Sequence, residues 1–219
     1  MRMLAQDVGG LKNALTNVKT MGGIGEIQLQ NIIEDVLSPN QYEFNVKPIR
    51  GENVIVECAV KFPAENGEFR YVAIDSKFPV DRYTELINAY EIPQDSDGKR
   101  IVQTAQNKLK STIYKQASEI TKYIREPDTL PYAIMFLPTE GLYAEVMRLD
   151  IASEIYTKYN VQIAGPGNLM ALLTSFKCGF QTIALQQKSG EVWKVLGEVK
   201  SEFGKFEAQV QKVQENLRK

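Results

Sequence analysis

Phe69-Arg70-Tyr71-Val72-Ala73-Ile74-Asp75-Ser76-Lys77 is the stretch on which the fold turns. Its apolar and aromatic content reads as a β-strand that closes on a carboxylate and an ammonium. Residues two apart in a strand point the same way, so Asp75 and Lys77 share one face and Ile74 takes the other. Asn53 to Phe62 reads as the preceding strand. Val54, Val56, Cys58, Val60 and Phe62 form its apolar face, and Asn53, Glu57 and Lys61 the opposite one. Pro63 to Gly67 reads as the turn between the two strands. Antiparallel pairing through that turn lets Glu57 and Asp75 meet across the sheet. Two carboxylates, with oxygen ligands from backbone and water, make a site for Mg2+ or Mn2+. A lysine beside them orients or activates water and offsets phosphate charge.

Outward from this hairpin the pattern is mixed α/β. Gly22 to Gly25 opens a helix with Ile27, Leu29, Ile32, Ile33, Val36 and Leu37 as its apolar positions, and Ser38-Pro39-Asn40 ends it. Tyr42 to Pro48 reads as a short strand. Downstream, the pattern predicts a helix from Pro79 to Tyr90 and a long helix from Lys99 to Arg125. A buried strand at Tyr132 to Leu137, a helix at Thr139 to Tyr159 and a strand at Val161 to Ala164 follow. Pro166 stands where a first helical residue belongs, opening a helix to about Lys188.

The two ends carry a different signature. Leu4, Val8, Leu11, Leu15 and Val18 alternate spacings of four and three, and so do Leu196, Val199, Phe203, Phe206, Val210, Val213 and Leu217. That is a coiled-coil seam, suited to pairing with a second copy of the chain or to packing on the globular body. The expected division is a coiled-coil end at 1–20, an α/β domain at 21–190 and a coiled-coil-like helix at 191–219.

Composition narrows the chemistry. The 219 residues contain no histidine, which excludes Ser-His-Asp and Cys-His nucleophile systems and the histidine ligands of common zinc enzymes. Ser76 and Lys77 point to opposite faces, so they form no Ser-Lys dyad. The Gly22–Gly25 stretch lacks dinucleotide-binding spacing, no Walker lysine motif is present, and no small-molecule cofactor is expected. A net charge of -1 excludes a uniformly basic coat, so any nucleic-acid contact must come from a local basic face. Cys58 and Cys178 sit in apolar surroundings and read as buried free thiols of a reducing compartment. No apolar run approaches the ~20 residues that span a membrane, so a soluble cytoplasmic protein is expected, with an anchor only if a longer parent chain carries one.

Three further features bear on the site. Glu26 lies in the first turn of its helix, where a carboxylate is well tolerated. In the long helix, Leu109, Ile113, Ile120 and Ile124 form an inward stripe, and Gln116 falls within it, where an amide needs a partner. Lys108, Lys115 and Lys122 recur every seven residues on a neighbouring face, either as a solvated charged face or as a ridge that contacts DNA phosphates.

From about residue 20 to 200 the chain resembles the RmuC family of DNA recombination proteins. The resemblance is carried by Gly25-Glu26-Ile27-Gln28-Leu29, Val60-Lys61-Phe62-Pro63, Ile74-Asp75-Ser76-Lys77-Phe78-Pro79, Met135-Phe136-Leu137-Pro138-Thr139-Glu140 and Gly165-Pro166-Gly167-Asn168-Leu169. It implies a restriction-endonuclease-like PD-(D/E)xK fold, with a mixed central sheet flanked by helices. It also implies that Asp75 and Lys77 form the (D/E)xK element and that Ser76 lends its carbonyl to a metal. Glu57 then stands for the upstream aspartate, Glu26 for the first-helix glutamate, and Gln116 lies near a histidine or glutamine position. The usual Pro-Asp pair reads Val56-Glu57 here. Two functions remain open: a metal-dependent DNA nuclease, and a catalytically decayed nuclease fold that binds DNA or acts as a scaffold.

Overall fold

The computed structural model describes residues 18–64, 68–93 and 95–217. In chain order the elements are α1 (Val18–Val36), a 3-10 turn (Pro39–Gln41), β1 (Tyr42–Val46), β2 (Val56–Pro63), β3 (Phe69–Ser76), α2 (Val80–Tyr90) and α3 (Ser96–Ile120). A 3-10 turn (Thr121–Tyr123), β4 (Ala133–Phe136), α4 (Glu140–Arg148), α5 (Ala152–Tyr159), β5 (Val161–Ala164) and α6 (Pro166–Leu217) complete them. The sheet is ordered β1-β2-β3-β4-β5, antiparallel as far as β3 and parallel from β3 to β5. β3 is therefore the central strand and the junction between the two pairing modes. The mixed α/β expectation holds at this level.

The chain divides into two units, Met1–Ser175 and Phe176–Lys219. The first holds the sheet. One core cluster joins Ala59, Ala73, Ala133, Met135, Val161 and Ile163 of the sheet to Leu109, Ile113, Ala117 and Ile120 of α3, to Leu142 and Val146 of α4, to Ile155 of α5 and to Ile151 between those two helices. Sheet residues of opposite parity, Cys58, Val60, Val72, Ile74, Ile134 and Phe136, are as fully buried. Both faces of the sheet are thus covered, although the β2 sequence reads as apolar on one face only. The second unit lies wholly within α6 and its terminal residues.

Several boundaries differ from the sequence reading, each for a local reason. α3 starts at Ser96, not Lys99, because the Asp95 side chain caps it by accepting from Gly98 N–H at 2.8 Å. The helix predicted from Thr139 to Tyr159 is two helices, interrupted where Asp150 takes φ 51°, a left-handed conformation that aspartate tolerates. α6 continues past Lys188 to Leu217, since a single glycine such as Gly190 costs a helix only about 1 kcal/mol. α1 is already helical at Val18 and does not open at Gly22. Cys178 is exposed, not buried, because it lies on the solvent side of α6; Cys58 is buried as expected. Leu4, Val8, Leu11 and Leu15 lie outside the described residues. In the other seam Leu196, Val199 and Phe203 are exposed. No helix among the described residues is long and apolar enough to cross a membrane.

Leu109 is fully buried between α3 and the sheet. Leu109→Ala should lower unfolding free energy by about 2–5 kcal/mol in denaturant titrations, with the far-ultraviolet spectrum of the folded state unchanged.

Candidate functional site

The β2–β3 ladder runs from Pro63–Phe69 to Cys58–Ile74. The same register carried one residue further sets Glu57 opposite Asp75. There the backbone ladder gives way to a side chain: Ser76 N–H donates to Glu57 Oε2 at 2.9 Å. On its other side β3 pairs with β4, Asp75 against Met135 and Ser76 against Phe136. Asp75 is consequently only 3% exposed. Lys77 follows directly, its N–H donating to Phe136 O at 2.8 Å. Its Nζ stands 2.5 Å from Asp75 Oδ2, and its side chain is 25% exposed. The contact is an ion pair without the alignment of a hydrogen bond, and the buried Oδ2 has no hydrogen-bond partner.

Glu57 is electrostatically unusual. Burial pushes its carboxyl up to about 7; the Ser76 N–H opposes the rise, the Asp75 and Glu26 charges add to it, and Lys77 offsets it. Glu26 itself is exposed on α1. Its place beside the strand end follows from Gly25. A Cβ there would stand 2.7 Å from Ser76 Oγ and 3.1 Å from Pro138 Cγ, so glycine lets the helix backbone come down onto β3.

The remaining predicted residues lie on or just beyond α3. Gln116 is half-buried, and its Oε1 is buried without a hydrogen-bond partner. Lys108 and Lys115 are exposed on the helix, and Lys108 is committed to an ion pair with Glu85 at 2.5 Å. Lys122 falls past the end of the helix in the 3-10 turn, with its Nζ 4.8 Å from the centre of the Tyr123 ring. The seven-residue spacing therefore does not continue along a single helical face. The site also contains Tyr123, which is 5% exposed and close enough to Asp75 and Glu57 for both acids to act on its phenol. Burial first, then Asp75 and Glu57, raises its pKa well above the ordinary phenol value. The sequence reading passed over it, although Ile113, Gln116, Ile120 and Tyr123 continue the spacing of the inward stripe.

No group of three acidic or cysteine side chains among the described residues is placed to hold a metal ion. What is present is a facing pair of hard oxygen donors, one with an unpartnered buried oxygen. That pair suits a Mg2+-like ion, which keeps several waters and takes one or two carboxylates.

The features define a mixed α/β domain with an acid–lysine cluster at the carboxyl end of its central strand. The chain belongs to the RmuC family, whose model matches residues 1–219. It is 41% identical over 222 residues to a DNA recombination protein RmuC homolog of Xylella fastidiosa, covering 99% of this chain and 48% of that protein. Proteins of the same description from Chlamydia pneumoniae (26% over 194 residues; 87% and 43% covered) and Pseudomonas aeruginosa (21% over 210; 93% and 44%) are also similar. The chain thus spans about half the length of these relatives. No solved structure matches it.

A carboxyl whose pKa is higher in the folded than in the unfolded chain favours folding at low pH, and that contribution is lost as pH rises toward about 7. Glu57→Gln, which keeps an acceptor for Ser76 N–H, should leave stability unchanged below pH 4. Above pH 7 it should raise unfolding free energy by about 2 kcal/mol in metal-free denaturant titrations, a figure already discounted for partial solvent contact.

Proposed function

We propose that this chain is the catalytic domain of a DNA recombination protein that hydrolyses DNA phosphodiesters with a divalent metal ion. The observation that carries the reading is the facing of Glu57 and Asp75 at the end of paired strands, with Lys77 Nζ against Asp75. The order of a helix, three antiparallel strands, helices and a parallel strand is compatible with a PD-(D/E)xK nuclease. The similarity to DNA recombination proteins supplies the substrate class.

Glu57 and Asp75 would hold Mg2+ or Mn2+, with the Ser76 carbonyl and Glu26 as further oxygens. Bound there, the ion lowers the pKa of water and stabilises charge on the phosphoryl oxygens. Lys77, mostly buried with its Nζ against Asp75, would place the attacking water and offset phosphate charge. Gln116 offers its unpaired amide oxygen to the same side of the sheet. Lys115 and Lys122 are exposed cations for phosphate contact, and Lys108 joins them only by leaving Glu85. The exposed Leu196, Val199 and Phe203 of α6 offer an apolar face to a second copy of the chain. The working compartment is the cytoplasm, where a bacterial chromosome would be met.

A second reading, a DNA-binding or scaffold protein on a decayed nuclease fold, is favoured by Glu57 in place of the usual aspartate and by its raised pKa. Cleavage assays on single-stranded, duplex and branched DNA separate the two. The nuclease reading expects Mg2+-dependent cutting that chelator abolishes. Asp75→Asn and Lys77→Ala should each reduce it by about 100-fold or more while DNA affinity stays within a few fold. Wild-type protein that binds these DNAs and cuts none of them in Mg2+ or Mn2+ would establish the scaffold instead.

A further inference from the structure

We propose that the cleft at the hairpin end of β2 and β3 binds a segment of single-stranded DNA, with one base against the Phe69 ring and the flanking phosphates on Lys47 and Arg70. The inference rests on the reading of DNA as the substrate given above. It adds a second contact, remote from the acid–lysine cluster. Phe69 opens β3 and Asp75 stands near its other end, about 20 Å away at the usual strand rise.

The cleft has two adjoining lobes of about 390 and 460 Å3, within the roughly 300–1,000 Å3 typical of ligand sites. Arg50, Glu68, Phe69 and Asp128 line both; Lys47 belongs to one lobe and Arg70 to the other. Phe69 is thus the ring common to the two lobes, and it remains 42% exposed. Neighbours on its own face of the sheet hold its orientation. The Tyr71 ring meets it nearly edge-on, with centroids 5.2 Å apart at 81°. Lys61 Nζ lies 5.4 Å from the ring centre and is itself tied to Glu43 at 2.5 Å. A ring already held in place loses little freedom when a base stacks on it. Bases within a duplex are stacked on one another, so the ring selects an unpaired strand.

Charge decides the class of ligand. The Arg50 guanidinium reaches Glu68 at 3.3 Å and Asp128 at 3.4 Å, so these three side chains are engaged with one another. Among the described residues Lys47 and Arg70 have no ion-pair partner, which leaves one uncommitted cation in each lobe. Lys47, Arg50 and Arg70 against Glu68 and Asp128 give the cleft a surplus of one positive charge, in a chain whose net charge is -1. The order cation, ring, cation matches phosphate, base, phosphate along a single strand. The Arg50–Glu68 pair joins two exposed side chains, so it contributes little and opens readily to an arriving phosphate.

The test is binding of a labelled oligothymidylate of about 12 nucleotides to the full chain, followed by fluorescence anisotropy in chelator so that no divalent ion is present. Phe69→Ala should weaken affinity about tenfold, and Phe69→Trp should retain it. Lys47→Ala and Arg70→Ala should each lower the slope of log affinity against log salt by about 0.7, one phosphate apiece. Trp193 is the single native tryptophan, so the emission gained in Phe69→Trp reports the new indole, and oligothymidylate should quench it. Affinity of folded Phe69→Ala equal to wild type, an unquenched indole, or a salt slope unchanged in both cation variants overturns the inference. Should the alanine variant not fold, the indole and the salt slopes decide. Altered self-association of Phe69→Ala in sedimentation, with oligothymidylate affinity unchanged, assigns the cleft to a second copy of the chain and also overturns it. A wild type that cuts DNA but binds no oligothymidylate keeps the nuclease reading and overturns this one. A wild type that cuts no DNA but loses oligothymidylate affinity in Phe69→Ala does the reverse.

Discussion

The bond from Ser76 N–H to Glu57 Oε2 is the constraint on which the site depends. Alternate amides of a strand address opposite neighbours, and at the end of β3 both neighbours are still claimed. Ser76 turns its N–H toward β2 and finds a side chain where the ladder would supply a carbonyl. Lys77 turns its N–H toward β4 and finds Phe136 O. Glu57 thus ends one ladder while β4 continues the other. A carboxylate is drawn under the end of the central strand by a part-buried backbone donor that would otherwise be left without a ladder partner.

From that bond the rest of the site follows by register. Side chains on paired strands keep their spacing, so fixing Glu57 against Ser76 also fixes it against Asp75. Asp75, held between β2 and β4, cannot swing away from a like charge, and Lys77 is two residues on and on its face. The helices then meet this arrangement from both sides of the sheet. α1 approaches through Gly25, at a distance that no side chain fits, and α3 delivers Gln116 and, just beyond its end, Tyr123. The small residues Ala59 and Ala73, on the same face as the two carboxylates, belong to the cluster that lets α3 pack closely there.

Much of this is legible in the residues themselves. The alternation in β2 and β3 encodes both the pairing and the face on which Glu57, Asp75 and Lys77 fall. Turn residues at 63–67 fix the direction of return. What is not legible depends on tertiary contact. The apolar face of β2 gives no notice that Ala59, on the other face, is equally buried, because small residues do not announce burial by hydropathy. The break at Asp150 is a single backbone conformation inside an otherwise helical pattern. Tyr123 was hidden for another reason. A tyrosine at helical spacing ordinarily reads as core, and only the tertiary fold brings Asp75 and Glu57 near enough to raise its pKa. Lys108 shows the converse, since its spacing suggested a phosphate ridge and the neighbouring helix supplies Glu85.

The charge balance of the site says what kind of occupant it favours. Glu57, Asp75 and Glu26 act on one another across a small volume, and Lys77 is the cation that offsets them there. Buried acids in excess must be neutralised by a proton or by another cation. Burial pushes the Glu57 carboxyl up to about 7, so the protein alone eases the excess by favouring the protonated acid. That is a weak settlement, because a proton on Glu57 leaves Asp75 Oδ2 without a directional partner. On the proposed metal-site reading, Glu57 and Asp75 would hold a divalent ion in place of that proton, which couples metal binding to proton release. Lys77 would then be freed from sole responsibility for Asp75, and its ammonium could turn to a phosphate. On the proposed reading, the same acidic surplus would repel DNA unless a cation accompanied it.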